Sequence, residues 1–431
     1  MYIDKITLKN IRGFEHLEFD LCRGDSQYAG WTVFTGDNGA GKSTLLKAIA
    51  VALTGRDVAR SLQPSFHRWI REGAENQESK IELMILPEIK ADEFSEKRKT
   101  AYKKFPATVV LQSTGKDTSI ELSSDLGRKA SLAQRGLWSA NSRGWFSCGY
   151  GPFRRVFGAS PEATRLMVSP TTERFVTMFQ EAASLFEVDQ WLRNLSHKKL
   201  EGKVAESEHL TLLLEILRDD LMPNQITVDR VDSDGLWLKD RNGLQLAWSD
   251  MSDGYRAALA LLSDILRHLI NAYGLDGLAQ RGEDGKLRIV RSGVVMIDEI
   301  DAHLHPEWQR EIGFWLKEHF PNIQFLVTTH SPIICQAADE NGLFVLPEPG
   351  SMATPCALST DEYKKVIASR PDTILLTAAF GMQNTRSPRA VAGRAEYAKL
   401  MAKQRAGGKL TKEEQGKVHQ LQLFAATGEE I

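Results

Sequence analysis

The sequence predicts an α/β fold with a mixed central sheet, an N-terminal antiparallel β lobe, a helical insert and a small helical C-terminal tail. Three observations predict it. Apolar and charged residues alternate at the start of the chain, helical spacings of three and four fill its middle, and two short unbroken apolar runs, 294–297 and 325–328, come late. Runs of that last kind suit parallel strands covered on both faces.

Taken in order, strands are expected over 3–8, 16–21 and 31–35, followed by a helix over 43–53 that ends at Gly55, a C-terminal cap glycine. Further strands are expected over 80–86, 107–112 and 119–122, and a strand with its turn over 145–155. Leucine and phenylalanine at helical spacing predict helices over 173–195 and 205–221, the second stopped by Pro223. Three short strands near Ile226, Leu236 and Leu244 are separated by SDG and RNG turns. A very apolar helix over 254–270 should be buried on most faces, and the polar, glycine-rich stretch 271–291 reads as a surface loop. From Pro388 the chain is helical and basic, with Thr411 and Glu414 at capping-box spacing. The expected division is 1–158 and 225–370 for two halves of one head, 159–224 for a helical insert, and 371–431 for the tail.

Composition narrows the class. The 431 residues are 42% apolar and 26% charged with a formal charge of −2, which suits a soluble globular chain and argues against a uniformly basic nucleic-acid binder. Cys22, Cys148, Cys335 and Cys356 are scattered without a C-x-x-C pair, so neither a zinc site nor a disulfide framework is expected, and a reducing cytoplasm is the expected compartment. Residues 1–21 lack the apolar core of a signal peptide, and no run of about 18 apolar residues occurs, so no membrane span is expected.

Four motifs carry chemistry. Residues 36–43, GDNGAGKS, form an unbroken G-x-x-x-x-G-K-S between an expected strand and an expected helix. Such a loop turns backbone N–H groups toward phosphate oxygens. Gly36, Asn38, Gly39, Gly41, Lys42, Ser43 and Thr44 are therefore the expected ATP contacts, with Lys42 on the β- and γ-phosphates and Ser43 on Mg²⁺. The run VVMIDE delivers Asp298 to the carboxyl end of a strand, where it would hold the metal, and leaves Glu299 to polarise a water. Ser252 and Gly254 open the buried helix, either as an ordinary N-cap at Ser252 or Asp253 or as a second anion site with the Ser252 hydroxyl as donor. A second phosphate cradle on one chain is useful only toward another molecule's nucleotide. His330, in VTTHSP, reaches the same sheet edge as Asp298 and could bond a γ-phosphate or be structural.

Weaker positions remain. Gln77 could reach the metal or the water, or be a surface glutamine before a strand. Arg12 could contact nucleotide or be an exposed loop arginine. His303 and His305 lack a third ligand and read as structural or interfacial.

These residues resemble the ABC-type ATPases of the RecF-, SMC- and OLD-like branch. LKNIRGF, the 36–43 loop, SDGYR, IDEIDAHLHP and VTTHSP are similar, in order, to that branch's Walker A region, signature, Walker B, D-loop and H-loop. The resemblance implies an ABC-type P-loop ATPase head. In it Ser252 and Gly254 bind the nucleotide of a second copy, Asp301 acts across the dimer, His330 is the switch histidine and Gln77 holds the Q-loop position. The signature departs from L-S-G-G-Q, reading Met251-Ser-Asp-Gly-Tyr255. Together with AFGMQNTRSP, the pattern is similar to stand-alone bacterial AAA-family ATPases of anti-phage defence operons, of the Septu and PARIS types. That likeness implies a homodimer through ATP-sandwiched heads, with larger assemblies open, acting as sensor or scaffold for a separate nuclease.

The alternative is a DNA repair or DNA-organising ATPase that binds nucleic acid directly. The insert is too short for an SMC arm, and about a hundred residues follow His330 without the Asp-x-Asp of a metal-dependent TOPRIM nuclease, so cutting is not expected of this chain. Residues 386–417 hold nine Lys or Arg against three Glu, which suits a solvated helix face or a docking surface for nucleic acid or an acidic partner.

Overall fold

One helix, α1 (Lys42–Leu62), lies between two sheets, and both owe their faces to the two-residue side-chain period of a strand. The computed structural model describes residues 1–74, 78–89, 91–95, 103–113, 118–122, 132–140, 142–154, 156, 169–348 and 355–426. The first sheet is antiparallel and contains β1 (Tyr2–Ile11), β2 (Phe14–Asp20), β4 (Ser79–Leu86), β5 (Phe105–Ser113) and β6 (Thr118–Leu122), in the order β2-β1-β4-β5-β6. Its strands alternate. Ile81, Leu83 and Ile85 of β4 are buried toward α1, while Lys5 and Lys9 pair with Glu18 and Glu78 on the solvent face.

The second sheet is mixed. Strands β3 (Gly30–Thr35), β7 (Ser147–Tyr150), β13 (Gly293–Ile297), β14 (Ile323–Thr328) and β15 (Leu343–Val345) run parallel in the order β15-β3-β14-β13-β7, and β16 (Cys356–Ala357) adds an antiparallel edge. Every residue of β13 and β14 is buried. Successive residues feed different cores: Val294, Met296 and Leu326 join α1 and the antiparallel sheet, while Val295, Ile297, Phe325 and Val327 face the opposite core. This is why both strands read as unbroken apolar runs.

The opposite core is closed by an insert. Helices α2 (Phe186–Leu200) and α3 (Val204–Arg218) pair with one another and pack on β8 (Thr227–Asp232), and α2 also meets β9 (Gly235–Lys239). That three-stranded sheet ends with β10 (Gln245–Ala247). Both helices meet α4 (Asp253–Tyr273), the apolar helix, whose residues 257–270 are buried throughout. Beyond the sheet lie α5 (Pro306–His319), α6 (Thr360–Ala368) and a tail hairpin, α7 (Pro388–Arg405) and α8 (Lys412–Ala426). The capping box is formed at the start of α8: the Thr411 amide donates to Glu414 and the Glu414 amide to the Thr411 hydroxyl.

Three expectations are corrected. Helix α1 does not end at Gly55 but breaks there, with φ 73°, and continues to Leu62. The Trp138 ring would lie 2.8 Å from a Cβ at that position, and its indole N–H bonds the Ala52 carbonyl at 2.9 Å, so the glycine makes room for a side chain that caps the first half. The helix expected over 173–195 is instead two short helices, Pro170–Glu173 and Val176–Phe179, followed by α2. The Arg174 carbonyl accepts from the Gly149 amide of β7, and Phe175 and Met178 press against that glycine, so strand contact outcompetes helical periodicity. The stretch 271–291 carries a hairpin, β11 (Ala279–Arg281) and β12 (Leu287–Ile289), anchored by buried Leu278 and Ile289. Two isolated apolar residues left no periodic signal.

A buried charge cluster ties α4 to β7. Asp264 accepts from the Tyr150 hydroxyl at 2.9 Å and from Arg267 at 2.7 Å, and lies 3.2 Å from His268, while Arg267 also reaches Glu173. Burial pushes the Asp264 carboxyl up, but His268 and Arg267 outweigh it and hold the group well below the usual carboxylate range. Such a depressed carboxylate contributes stability above its unfolded pKa and loses it as pH falls through the folded one. Asp264→Asn should therefore cost about 3–5 kcal/mol in equilibrium urea unfolding at pH 7. The deficit should persist to about pH 5 and shrink only at more acid pH.

Candidate active site

The carboxyl ends of β3, β14 and β13 lie side by side: Phe34 pairs with Thr328, and Val327 with Ile297. The 36–43 loop, Thr329–His330 and Asp298–Glu299 therefore leave the sheet at one edge. Gly36, Gly39 and Gly41 have φ of 137°, 85° and 92°, so the loop uses backbone that side chains resist. A Cβ on Gly41 would also strike the Phe14 ring at 2.5 Å. Asp37, Asn38 and Gly39 are exposed, Ser43 and Thr44 are half-buried, and α1 starts at Lys42 with its free amides toward the loop.

Lys42 is buried and folded across the loop, with Nζ donating to the Gly36 carbonyl at 2.7 Å and the Asp37 carbonyl at 3.0 Å. Burial lowers its pKa, against the opposing pull of Asp298, Glu299, Asp37 and Asp301. Those four carboxylates thus share a field with one lysine, although Asp298 comes 256 positions after Lys42 in sequence. Arg12, with φ 48°, stacks its guanidinium 4.7 Å above the Trp69 ring, and Nη1 reaches the Thr44 hydroxyl at 3.4 Å. The structure thereby brings Arg12 to the start of α1.

The turn after β13 is tightly specified. Asp298 is buried and accepts from the Thr328 hydroxyl at 2.6 Å, and that same oxygen accepts from the Glu299 amide at 2.8 Å. Glu299 has φ 47°, a conformation that costs a non-glycine residue about 1–3 kcal/mol and survives where its surroundings over-determine it. Asp301 accepts from the Thr329 hydroxyl at 2.5 Å and from the His330 amide at 3.3 Å, which joins the turn to the exposed His330 within one chain. Gln309 completes the link, donating to the Leu304 carbonyl and accepting from the Ser331 hydroxyl.

Ser252 is exposed at the N-cap of α4 but makes no side-chain cap hydrogen bond, and Asp253 turns to Arg256 instead. Neither residue caps the helix. Gly254 has a packing reason for its identity, since a Cβ there would lie 2.3 Å from the His303 carbonyl oxygen. Tyr255 meets Trp308 at 5.4 Å between ring centroids, so the start of α4 is fitted to the turn that carries Asp301. His305 is the N-cap of α5, accepting from the Glu307 amide, and His303 has φ 68°. Gln77 lies outside the described residues.

Sequence reasoning missed two residues of the site. Thr328 was visible only as the end of a strand, though its hydroxyl bridges Asp298 and Glu299. Arg154, from the GPFRR stretch, is 4% exposed and donates to the carbonyls of Gly151, Asp298, Glu299, Ile300 and Ala302. Burial lowers its pKa to about 10, against the pull of Asp298, Asp301 and Glu299, so it stays charged at neutral pH. Two arginines in succession after a glycine-proline turn were the only signal available.

The residues present fit a magnesium nucleotide. Among the described residues no group of three His, Cys, Asp or Glu side chains could hold a metal, but Mg²⁺ takes one or two protein oxygens and completes its shell with phosphate and water. The Ser43 hydroxyl and Asp298 carboxylate are such oxygens, beside a loop built for anions. No helix among the described residues is long and apolar enough to cross a membrane.

Comparison with known proteins places this geometry in context. A family profile described as an AAA domain, and naming the AbiEii toxin and type IV TA systems, matches residues 111–336. A second AAA-domain profile matches residues 5–216. The chain is similar to the Septu protein PtuA of Bacillus mycoides (strain KBAB4), with 26% identity over 352 residues, which covers 80% of this chain and 40% of that protein. It therefore spans less than half the length of that relative. It is also similar to the "Retron Vc95 probable ATPase" of Vibrio cholerae serotype O1 biovar El Tor, with 24% identity over 390 residues, covering 80% of this chain and 74% of that protein. Among solved structures, an SMC head bound to the C-terminal winged-helix domain of ScpA aligns at TM-score 0.47 and 16% identity, over 84% of this chain and 99% of the other.

Lys42→Ala is expected to weaken binding of a fluorescent ATP analogue by about 100-fold, the worth of charge-assisted hydrogen bonds to phosphate. Binding within about threefold of wild type would show that the lysine is not a phosphate ligand.

Proposed function

We propose that this chain, which belongs to the AAA-domain family, binds and hydrolyses ATP, pairs head to head on the nucleotide, and controls a separate effector in defence against phage. The observation that carries the reading is the shared edge: the 36–43 loop, Lys42, Asp298, Glu299 and His330 leave adjacent parallel strands at one level. In this reading the loop amides and Lys42 hold the phosphates, with Lys42 exchanging the Gly36 and Asp37 carbonyls for phosphate oxygens. Ser43 and Asp298 would hold Mg²⁺, which supplies neutralisation of charge developing on the transferred phosphoryl group. Glu299 orients and deprotonates the attacking water, and His330 bonds the γ-phosphate.

The uncapped Ser252 supports the pairing. A hydroxyl at a helix N-terminus that spends nothing on its own amides is available to an anion, and in this reading that anion is the nucleotide of a second copy, next to Gly254. Residues 1–158 and 225–370 would form the head, 159–224 the helical insert and 371–431 the basic helical tail. The effector reading, with a nuclease as the effector, rests on the likeness to Septu PtuA and a retron ATPase. Glu299→Gln is expected to lower turnover by roughly 100-fold or more and to accumulate an ATP-bound dimer, read by light scattering with and without ATP. Wild-type turnover in that variant would remove the role given to Glu299.

Direct binding of nucleic acid is a second reading, favoured by the tail. Helices α7 and α8 pack on one another, the Lys403 ammonium meets Glu414, and Arg389, Arg394, Lys399 and Lys409 remain on a hairpin with few acidic residues. Neutralising Arg394, Lys399 and Lys403 together should weaken duplex DNA binding and flatten its salt dependence by about three counterions. Unchanged DNA affinity with lost effector binding would instead make the tail a protein-docking surface. Unchanged binding of both would leave it a solvated face.

A further inference from the structure

Resting on the role given to Glu299 above, we infer that Arg154 is a positioning residue for hydrolysis, holding the turn that presents the Glu299 carboxylate. Arg154 is 4% exposed, and among the described residues it forms no ion pair. Buried arginines are ordinarily paired with an acid. This one spends its donors on backbone instead. Nη1 bonds the Gly151 carbonyl at 2.9 Å and the Asp298 carbonyl at 2.8 Å, and Nη2 reaches the carbonyls of Glu299 at 3.0 Å and of Ile300 and Ala302 at 3.3 Å.

Four of those five acceptors belong to one short turn, and that turn holds the metal-side Asp298, the strained Glu299 and Asp301. Glu299 is pinned at both of its peptide groups: its amide donates to Thr328, and its carbonyl accepts from Arg154 and from the Ala302 amide. Its φ of 47° persists only where the surroundings over-determine it, and losing the Arg154 bonds to four carbonyls of the turn would loosen that frame and let the Glu299 side chain shift. The planar fork of arginine addresses several carbonyls from one point, and the single ammonium of a lysine cannot reproduce that reach. Acting on carbonyls, Arg154 takes up neither the Asp298 nor the Glu299 carboxylate.

The test compares Arg154→Lys and Arg154→Ala with Glu299→Gln, measuring affinity for a fluorescent ATP analogue and kcat for hydrolysis in the full chain. Displacement of a catalytic group by a fraction of its length costs roughly 100-fold in rate, so Arg154→Lys should lower kcat to that extent while its affinity stays within about threefold of wild type. If the alanine variant does not fold, the lysine variant carries the comparison. Wild-type kcat in Arg154→Lys, with Glu299→Gln inactive, would overturn the role of Arg154 alone. Loss of affinity in step with kcat would overturn it as well, since that is what a merely structural arginine predicts. Wild-type turnover in Glu299→Gln would overturn the parent reading and this inference together.

Discussion

Strands β3, β14 and β13 are hydrogen-bonded in parallel with no register shift between them, and this alignment decides which side chains can meet. The anion loop, the Thr328–His330 segment and the Asp298 turn come from sequence positions nearly three hundred residues apart. They converge because parallel strands of similar length end at the same level, where loops are free to diverge. The cost is that both faces of those strands must be covered. The antiparallel sheet with α1 covers one, and α4 with the insert covers the other. The two large cores are the condition for having the edge at all.

At that edge hydroxyls, backbone carbonyls and one buried arginine hold the structure. Thr328 bridges Asp298 to the Glu299 amide, Arg154 collects four carbonyls of the turn, and Gln309 ties the turn to Ser331. Like Asp298, Asp301 has its carboxylate engaged within the same chain, by Thr329 and the His330 amide. A role for Asp301 toward a second copy would require those bonds to be exchanged or shared.

Much of this was legible in the sequence because it depends on local chemistry. Glycines at 36, 39 and 41 announce a loop with positive φ, and two apolar runs announce strands buried on both sides. Ser252 shows where local reasoning stops: a serine before a helix looks like a cap, and only the fold shows that its side chain does not cap. Arg154 and Gly55 were illegible for the same reason. The meaning of each lies in a partner far along the chain, the 298–302 turn for one and Trp138 for the other, and no spacing rule connects them. Gly254 was legible as a glycine but for an incomplete reason, since its bare Cα face is fitted to the His303 carbonyl.

That last contact makes α4 a push-rod. Its serine end abuts the Asp301 turn with no slack, and its flank is clasped by α2 and α3. A 21-residue helix spans about 30 Å, and a helix transmits axial thrust with little compression. Any rearrangement of the turn must therefore either lift Gly254 off its seat on His303 or press α4 against the two helices that clasp it.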